Sequence, residues 1–273
     1  MDTQTLVIYC ITDDILKAMN HQQNSQQKMT DAQVITTAIV AMRFFSGNFE
    51  KARLLLHSPR YIPHMLSRSR FNRRLHALER WILPIFHLCS TGFKSLNENS
   101  TYIIDSFPVA VCDNIRISRC KIYQEEKYRG YTASKRRYFY GLKIHLLVTA
   151  KGEPVEFFLT PGAVNDVRGL DVFDFDLPAG SEVFADKGYN DYDFEEVLKE
   201  ATGIELKPYR KKNAKRQFSG CMQYVQQKGR KMVETSGSLI NQMLPKSIHA
   251  VTAKGFELKV ALFVLAFSFG CVL

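Results

Sequence analysis

Three carboxylates stand at positions where the surrounding sequence is apolar or basic, and their types suggest one kind of chemistry. Asp105 interrupts Thr-Tyr-Ile-Ile-Asp-Ser-Phe-Pro at 101–108, a β-branched and aromatic run that predicts a buried strand stopped by Pro108. Asp186 ends a second short apolar run in Val-Phe-Ala-Asp-Lys-Gly-Tyr-Asn-Asp at 183–191, and Glu234 lies in Gly-Arg-Lys-Met-Val-Glu-Thr at 229–235. A buried carboxylate is costly without a cation beside it. Three oxygen ligands with no His or Cys favour a hard cation, Mg2+ or Mn2+. Two such ions about 3.5–4 Å apart can activate a water or hydroxyl and stabilise the leaving oxygen of a phosphodiester. The 27 acidic residues allow many other triples. Asp113, Asp166, Asp191 and Glu257 are alternative ligands, and any of the first three could instead pair with a lysine. Taken alone, Asp105 also fits a strand-end residue that faces solvent or caps a turn.

Bringing such groups together takes strand ends and an adjoining helix. Strand signals begin after a polar linker at 95–100, with 102–107 first. Residues 140–149 alternate polar Lys143 and His145 against Leu142, Ile144 and Leu146, and Lys-Gly-Glu-Pro at 151–154 turns the chain back through 155–159. These three strands are expected to be antiparallel. Short strands are expected at 182–185 and 204–207, helices at 165–173 and 192–201, and Gly203 as a helix stop. The predicted fold class is α/β, with a mixed sheet of about five strands flanked by helices over 101–273. A basic, aromatic-rich excursion at 116–137 and a basic segment at 207–231 interrupt it.

Residues 1–95 read as a helical domain. Thr30 is an N-cap for a helix through Phe45 that carries the stripe Val34, Ile35, Ala38, Ile39 and Met42, and Gly47 ends it. A second helix covers 49–56. A third starts at Ser67 and sets Arg70, Arg73, Arg74 and Arg80 on one side against Phe71, Leu75, Leu78 and Trp81 on another. Three short helices, the last opening with arginines, suit a helix-turn-helix reader of DNA. A solvated basic face on an ordinary bundle fits the same residues.

The chain has 273 residues, 45% of them hydrophobic, which excludes disorder as a whole. Its formal charge of +10 and pI near 9.3 point to a polyanionic partner, nucleic acid or an anionic membrane. The basic residues lie beside strands and turns, not along one amphipathic helix, so no membrane partner is expected. The apolar stretch 260–273 is short for a membrane span and reads as a buried core helix. The N-terminus lacks the pattern of a secretory signal, and the six scattered cysteines read as reduced thiols of a cytoplasmic protein, without zinc-site spacing.

Several of these stretches, in this order, resemble the DDE transposases of bacterial insertion sequences: Ile-Ile-Asp-Ser-Phe-Pro at 103–108, Tyr-Gly-Leu-Lys-Ile-His-Leu-Leu-Val-Thr at 140–149, Val-Phe-Ala-Asp-Lys-Gly-Tyr at 183–189, and Arg230 four residues ahead of Glu234. Ser-Arg-Ser-Arg-Phe-Asn-Arg-Arg-Leu at 67–75, Cys-Asp-Asn-Ile-Arg from Cys112 and Ile-His-Ala-Val-Thr-Ala-Lys-Gly-Phe-Glu from Ile248 are most similar to the insertion-sequence 982 family. The resemblance implies an RNase H-like catalytic domain in which Asp105, Asp186 and Glu234 hold two Mg2+ ions, with Mn2+ as substitute. Gln227 and Asn241 depart from the wider pattern, which has a tyrosine and a lysine there, and Lys246 is the candidate replacement for phosphate binding.

The expected activity is binding of terminal inverted repeats, then metal-dependent cleavage and strand transfer. The partners would be double-stranded DNA, both element ends and target, with a homo-oligomer, a dimer, assembled on it in the bacterial cytoplasm at the nucleoid. Arg70, Arg73 and Arg74 are the expected contacts to the repeats, and Lys143, His145, Lys211, Lys212 and Arg230 the expected DNA contacts nearer the chemistry, with an ion pair to Glu234 as the other role for Arg230. A metal-dependent nuclease that cuts without joining, and a transposase-derived DNA-binding protein without catalysis, are the alternatives.

Overall fold

The computed structural model describes residues 2–132, 136–210, 213–245 and 248–273. The chain divides into two compact units, Met1–Cys89 with Leu239–Leu273, and Ser90–Ser238. The sequence boundary near residue 95 is close to the first division. The second has no counterpart in the sequence reading: the C-terminal segment, expected in the catalytic domain, belongs to the same unit as the N-terminal helices.

The helical unit is organised around α2 (Asp31–Phe45), in which ten of the first twelve positions are all but inaccessible. Its start is the predicted one. Thr30 accepts from the Gln33 backbone N–H and Gln33 Oε1 accepts from the Thr30 N–H, a reciprocal capping box. Ser46 and Gly47, both with positive φ, end the helix. Helices α1 (Asp2–Ala18), α3 (Phe49–Leu56), α4 (Arg68–Ala77) and α9 (Ala253–Val272) share this unit, and each of the four touches α2. A Cβ on Gly47 would lie 2.9 Å from the Phe263 ring of α9, so the turn must be glycine for α9 to come this near. By length and composition alone α9 could cross a membrane, but most of it is buried in this unit, as expected of a core helix.

One charged cluster pins α4 to the start of α2. Asp31, 5% exposed, accepts from Arg74 Nε at 2.9 Å and contacts His21 Nε2 at 2.8 Å, while Arg74 also reaches Gln27 and the Met29 carbonyl. Arg74, read from the sequence as a DNA contact, is thus held by Asp31, with 17% of its side chain exposed.

The α/β unit carries a six-stranded mixed sheet, where about five strands were expected. The strands are β1 (Thr101–Asp113), β2 (Arg129–Thr132), β3 (Arg137–Thr149), β4 (Pro154–Pro161), β5 (Glu182–Ala185) and β6 (Glu205–Pro208). The additional one is β2, inside the basic excursion, where Tyr131 lies opposite Tyr138. β1 and β4 both run antiparallel to β3, β5 is parallel to β1, and β6 is parallel to β5. β1 does not stop at Pro108 as predicted but continues to Asp113. Pairing with β5 ends at Ile104, so the part through Pro108 is paired on one side only, the setting in which a strand tolerates proline.

Helix α8 (Gly220–Met243) crosses the sheet closely because glycines face it. A Cβ on Gly229 would lie 3.2 Å from Ile103 Cγ1, one on Gly237 would lie 3.1 Å from Phe107 Cδ1, and Ser236 Oγ donates to the Gly152 carbonyl at 2.9 Å. Helix α5 (Ile82–Ser95) leads into the sheet, α6 (Asp166–Gly169) follows β4, and α7 (Tyr192–Thr202) joins β5 to β6, with Gly203 in the left-handed region as its stop.

Replacing Arg74 by Met removes the cation from a buried carboxylate. We expect Arg74→Met to lower unfolding stability by about 3 kcal/mol, measured by urea denaturation, and an unchanged midpoint would show that the cluster carries no such weight.

Candidate active site

The register of two parallel strands sets the first two carboxylates side by side. Ile104 pairs with Ala185 in the last step of the β1–β5 ladder, and Asp105 and Asp186 are the next residue of each strand. Carboxyl ends of neighbouring strands are where open α/β sheets build their sites. Asp105 Oδ1 accepts the Ser106 backbone N–H at 2.8 Å. Burial pushes Asp105 up to about 7, opposed by that N–H, and the charge of Asp186 adds to the rise. Asp186 begins a tight turn in which the Tyr189 N–H returns to its carbonyl at 3.0 Å.

Glu234 comes from α8, the helix that the two glycines bring against the sheet. Arg230, one turn earlier, joins it to the strand ends: Nε donates to Glu234 Oε1 at 2.7 Å and Nη1 to Asp186 Oδ1 at 2.8 Å. Arg230 is therefore in the ion pair that the sequence allowed, and in a second one with Asp186.

A fourth carboxylate borders the group. Asp166 Oδ1 accepts from Ser106 Oγ at 2.8 Å and from Lys143 Nζ at 3.1 Å, and Lys143 also donates to the Val164 carbonyl at 2.8 Å. Lys143 thus lies beside Asp166, with its ammonium engaged by protein. Of the competing ligands, Asp191 caps α7 through the Asp193 and Phe194 N–H groups, Asp113 pairs with Arg137, and Glu257 lies on α9 in the other unit.

His145 is corrected from DNA contact to interior residue. It is fully buried, with Nδ1 2.9 Å from the Tyr189 hydroxyl, Nε2 3.0 Å from Thr160 Oγ1 and its ring stacked on Phe158. Burial lowers its pKa to about 4, so it is neutral at pH 7. Tyr189 is also fully buried, and burial together with the nearby charges of Asp166 and Asp105 keeps its hydroxyl protonated. Neither Tyr189 nor Ser106 was singled out by sequence reasoning. Their adjacency to Asp186 and Asp105 was the available signal, and it was too weak without the register.

On α4, Arg70 and Arg73 are exposed. Lys211, Lys212 and Lys246 lie outside the described residues. In the same basic segment Arg210 is buried against Glu195, with Nη1 2.8 Å from Oε1.

An oxygen-only donor set with one buried, charge-starved carboxylate has the chemistry a hard divalent cation requires. Asp105 and Asp186 fit that requirement directly. Glu234 fits by type, but Arg230 stands between it and Asp186, and among the described residues no three ligand-type side chains are gathered closely enough to hold an ion.

With this geometry in hand, the comparisons define the class. Residues 96–250, more than half of the chain, match the family model described as a transposase DDE domain, and the chain belongs to that family of transposases. The matched span contains Asp105, Asp186 and Glu234. No curated protein matches the chain. Among solved structures, it is similar to a piggyBac transposase in a synaptic complex with hairpin DNA, at 12% identity and a TM-score of 0.48, covering 97% of this chain and 71% of that one.

The buried imidazole gives a pH dependence with a definite sign. In the unfolded chain His145 takes up a proton near pH 6.5, in the fold only near pH 4, so stability is lost as pH falls through that window. From pH 7 to pH 4 the loss is expected to reach about 2–3 kcal/mol. Urea denaturation across that range should show His145→Gln with a shallower decline; equal slopes would remove His145 as its source.

Proposed function

We propose that this transposase mobilises a bacterial insertion sequence, of the insertion-sequence 982 type, by binding its terminal inverted repeats and carrying out Mg2+-dependent cleavage and strand transfer. The observation that carries the reading is the pairing of Ile104 with Ala185, which brings Asp105 and Asp186 to adjacent strand ends inside the family-matched span. Three antiparallel strands continued by two parallel ones support an RNase H-like catalytic core. Asp105, Asp186 and Glu234 would hold the metal, two Mg2+ ions or Mn2+ in their place. Bound there, the ions would supply a more acidic water or 3′-hydroxyl and charge stabilisation for the leaving oxygen.

The chain's own residues supply the surroundings of that chemistry. The neutral, hydrogen-bonded group of His145, Tyr189 and Thr160 is buried on the face that Ser106 shares. Ser106 and Lys143 fix Asp166 at the margin. Exposed Arg70 and Arg73 on α4 support a helix-turn-helix-like reading of the N-terminal helices, with contacts to phosphates of the repeats. Lys211, Lys212 and Lys246 extend the proposed DNA contacts, and the assembly on DNA is proposed to be a homodimer acting at the nucleoid in the cytoplasm.

Arg230 favours one second reading. A guanidinium between Asp186 and Glu234 is also what a DNA-binding descendant without catalysis would retain. Strand-transfer assays on labelled element ends separate the two. Asp105→Asn, Asp186→Asn and Glu234→Gln are each expected to cut Mg2+-dependent cleavage and joining by roughly 10³-fold or more while circular dichroism stays native. A folded variant with full activity would place its residue outside the site, and a wild-type chain that binds DNA but never cuts would establish the second reading. For the N-terminal helices, Arg70→Ala and Arg73→Ala should weaken duplex binding and flatten its salt dependence by about 0.9 in log–log slope for each phosphate no longer neutralised. Unchanged slopes would leave those arginines as solvated surface.

A further inference from the structure

A side chain of the protein already neutralises two of the three proposed ligands. Arg230 donates from Nη1 to Asp186 and from Nε to Glu234, so one guanidinium ties the strand-end turn to α8. The pair lies open to a large partner: the side chains of Arg230 and Glu234 are 46% and 48% exposed. Arginine keeps its charge at every working pH and cannot ligate a metal, and a divalent ion drawn to Asp186 and Glu234 meets that charge at contact distance. Bridging carboxylates is not the only role open to this planar fork. A phosphate accepts the same two-pronged donation.

We propose that Arg230 is the resident counter-ion of the site: it holds Asp186 and Glu234 while no divalent cation is bound, and is handed over to a DNA backbone phosphate when cations load. The proposal rests on the transposase reading and adds a coupling to it. DNA removes the competing charge, so it raises cation affinity, and by thermodynamic reciprocity the cations raise affinity for DNA by the same factor. The half-exposed setting of the ion pairs keeps the coupling modest, on the order of tenfold. Such a site would remain ion-poor until substrate arrives, which limits stray cleavage.

The test is equilibrium Mn2+ binding to the full chain, read from the paramagnetic resonance signal of the free ion, with and without a short DNA duplex. Wild type is expected to bind Mn2+ roughly tenfold more tightly with the duplex than without it. Arg230→Gln should bind Mn2+ roughly tenfold more tightly than wild type in the absence of DNA and lose most of the gain on adding duplex. Arg230→Lys, which keeps the charge and serves if the glutamine variant misfolds, should stay within about twofold of wild type; a rise as large as that expected for glutamine overturns the charge argument. If Asp186→Asn weakens Mn2+ binding but Arg230→Gln binds no more tightly than wild type, the carboxylates are the ion site and the counter-ion role is wrong. If Asp186→Asn leaves Mn2+ binding unchanged, the ion site itself is misplaced and the metal-dependent reading falls with the inference.

Discussion

The site depends on where one hydrogen-bonded ladder stops. β1 and β5 pair in parallel through Ile104 and Ala185, and the residue after each is an aspartate. A parallel ladder at this point fixes the separation of two carboxylates more firmly than any loop could, because sliding one strand by one residue would turn its carboxylate to the opposite face of the sheet from the other. Everything else in the unit adapts to that arrangement. The glycines of α8 let the helix come down beside it, and the turn after Asp186 folds back on itself beneath it.

Negative charge at such a point has to be matched. His145 and Tyr189 cannot do so, since both are neutral: His145 hydrogen-bonds Tyr189 and Thr160, and Tyr189 also interacts with Ser106. Two cations supply the compensation. Arg230 supplies it between Asp186 and Glu234, and Lys143 supplies it for Asp166. Asp105 is the carboxylate these cations serve least, and burial leaves it reluctant to ionise at neutral pH.

Much of this was legible in the sequence because it rests on local signals. The Thr30 cap, the Gly47 and Gly203 stops, the Lys-Gly-Glu-Pro hairpin and the apolar runs around Asp105 and Asp186 are read from a few neighbouring residues. What failed depends on partners far away in the chain. His145 alternates like an exposed polar residue of a half-buried strand, but Phe158 and Tyr189 cover its face. Arg74 looks like its neighbours Arg70 and Arg73, and partners more than 40 residues earlier, Asp31, Met29 and Gln27, distinguish it. The four residues of β2 are too few to signal a strand amid basic residues, and β3 is what makes them one. The grouping of the C-terminal helix with residues 1–89 follows from tertiary packing on α2, which no periodicity reveals.

Pro108 then has a meaning beyond the continuation of β1. From Asp105 onward β1 is paired with β3 alone, which leaves one flank of a long strand unzipped beside the carboxylates. Unzipped flanks invite a foreign strand to add on, and a residue that lacks the amide hydrogen is a common guard against it. Pro108, exposed in that flank three residues after Asp105, has no amide hydrogen to offer an added strand there. The same proline that looked like the end of a strand thus keeps a doorway from becoming a seam.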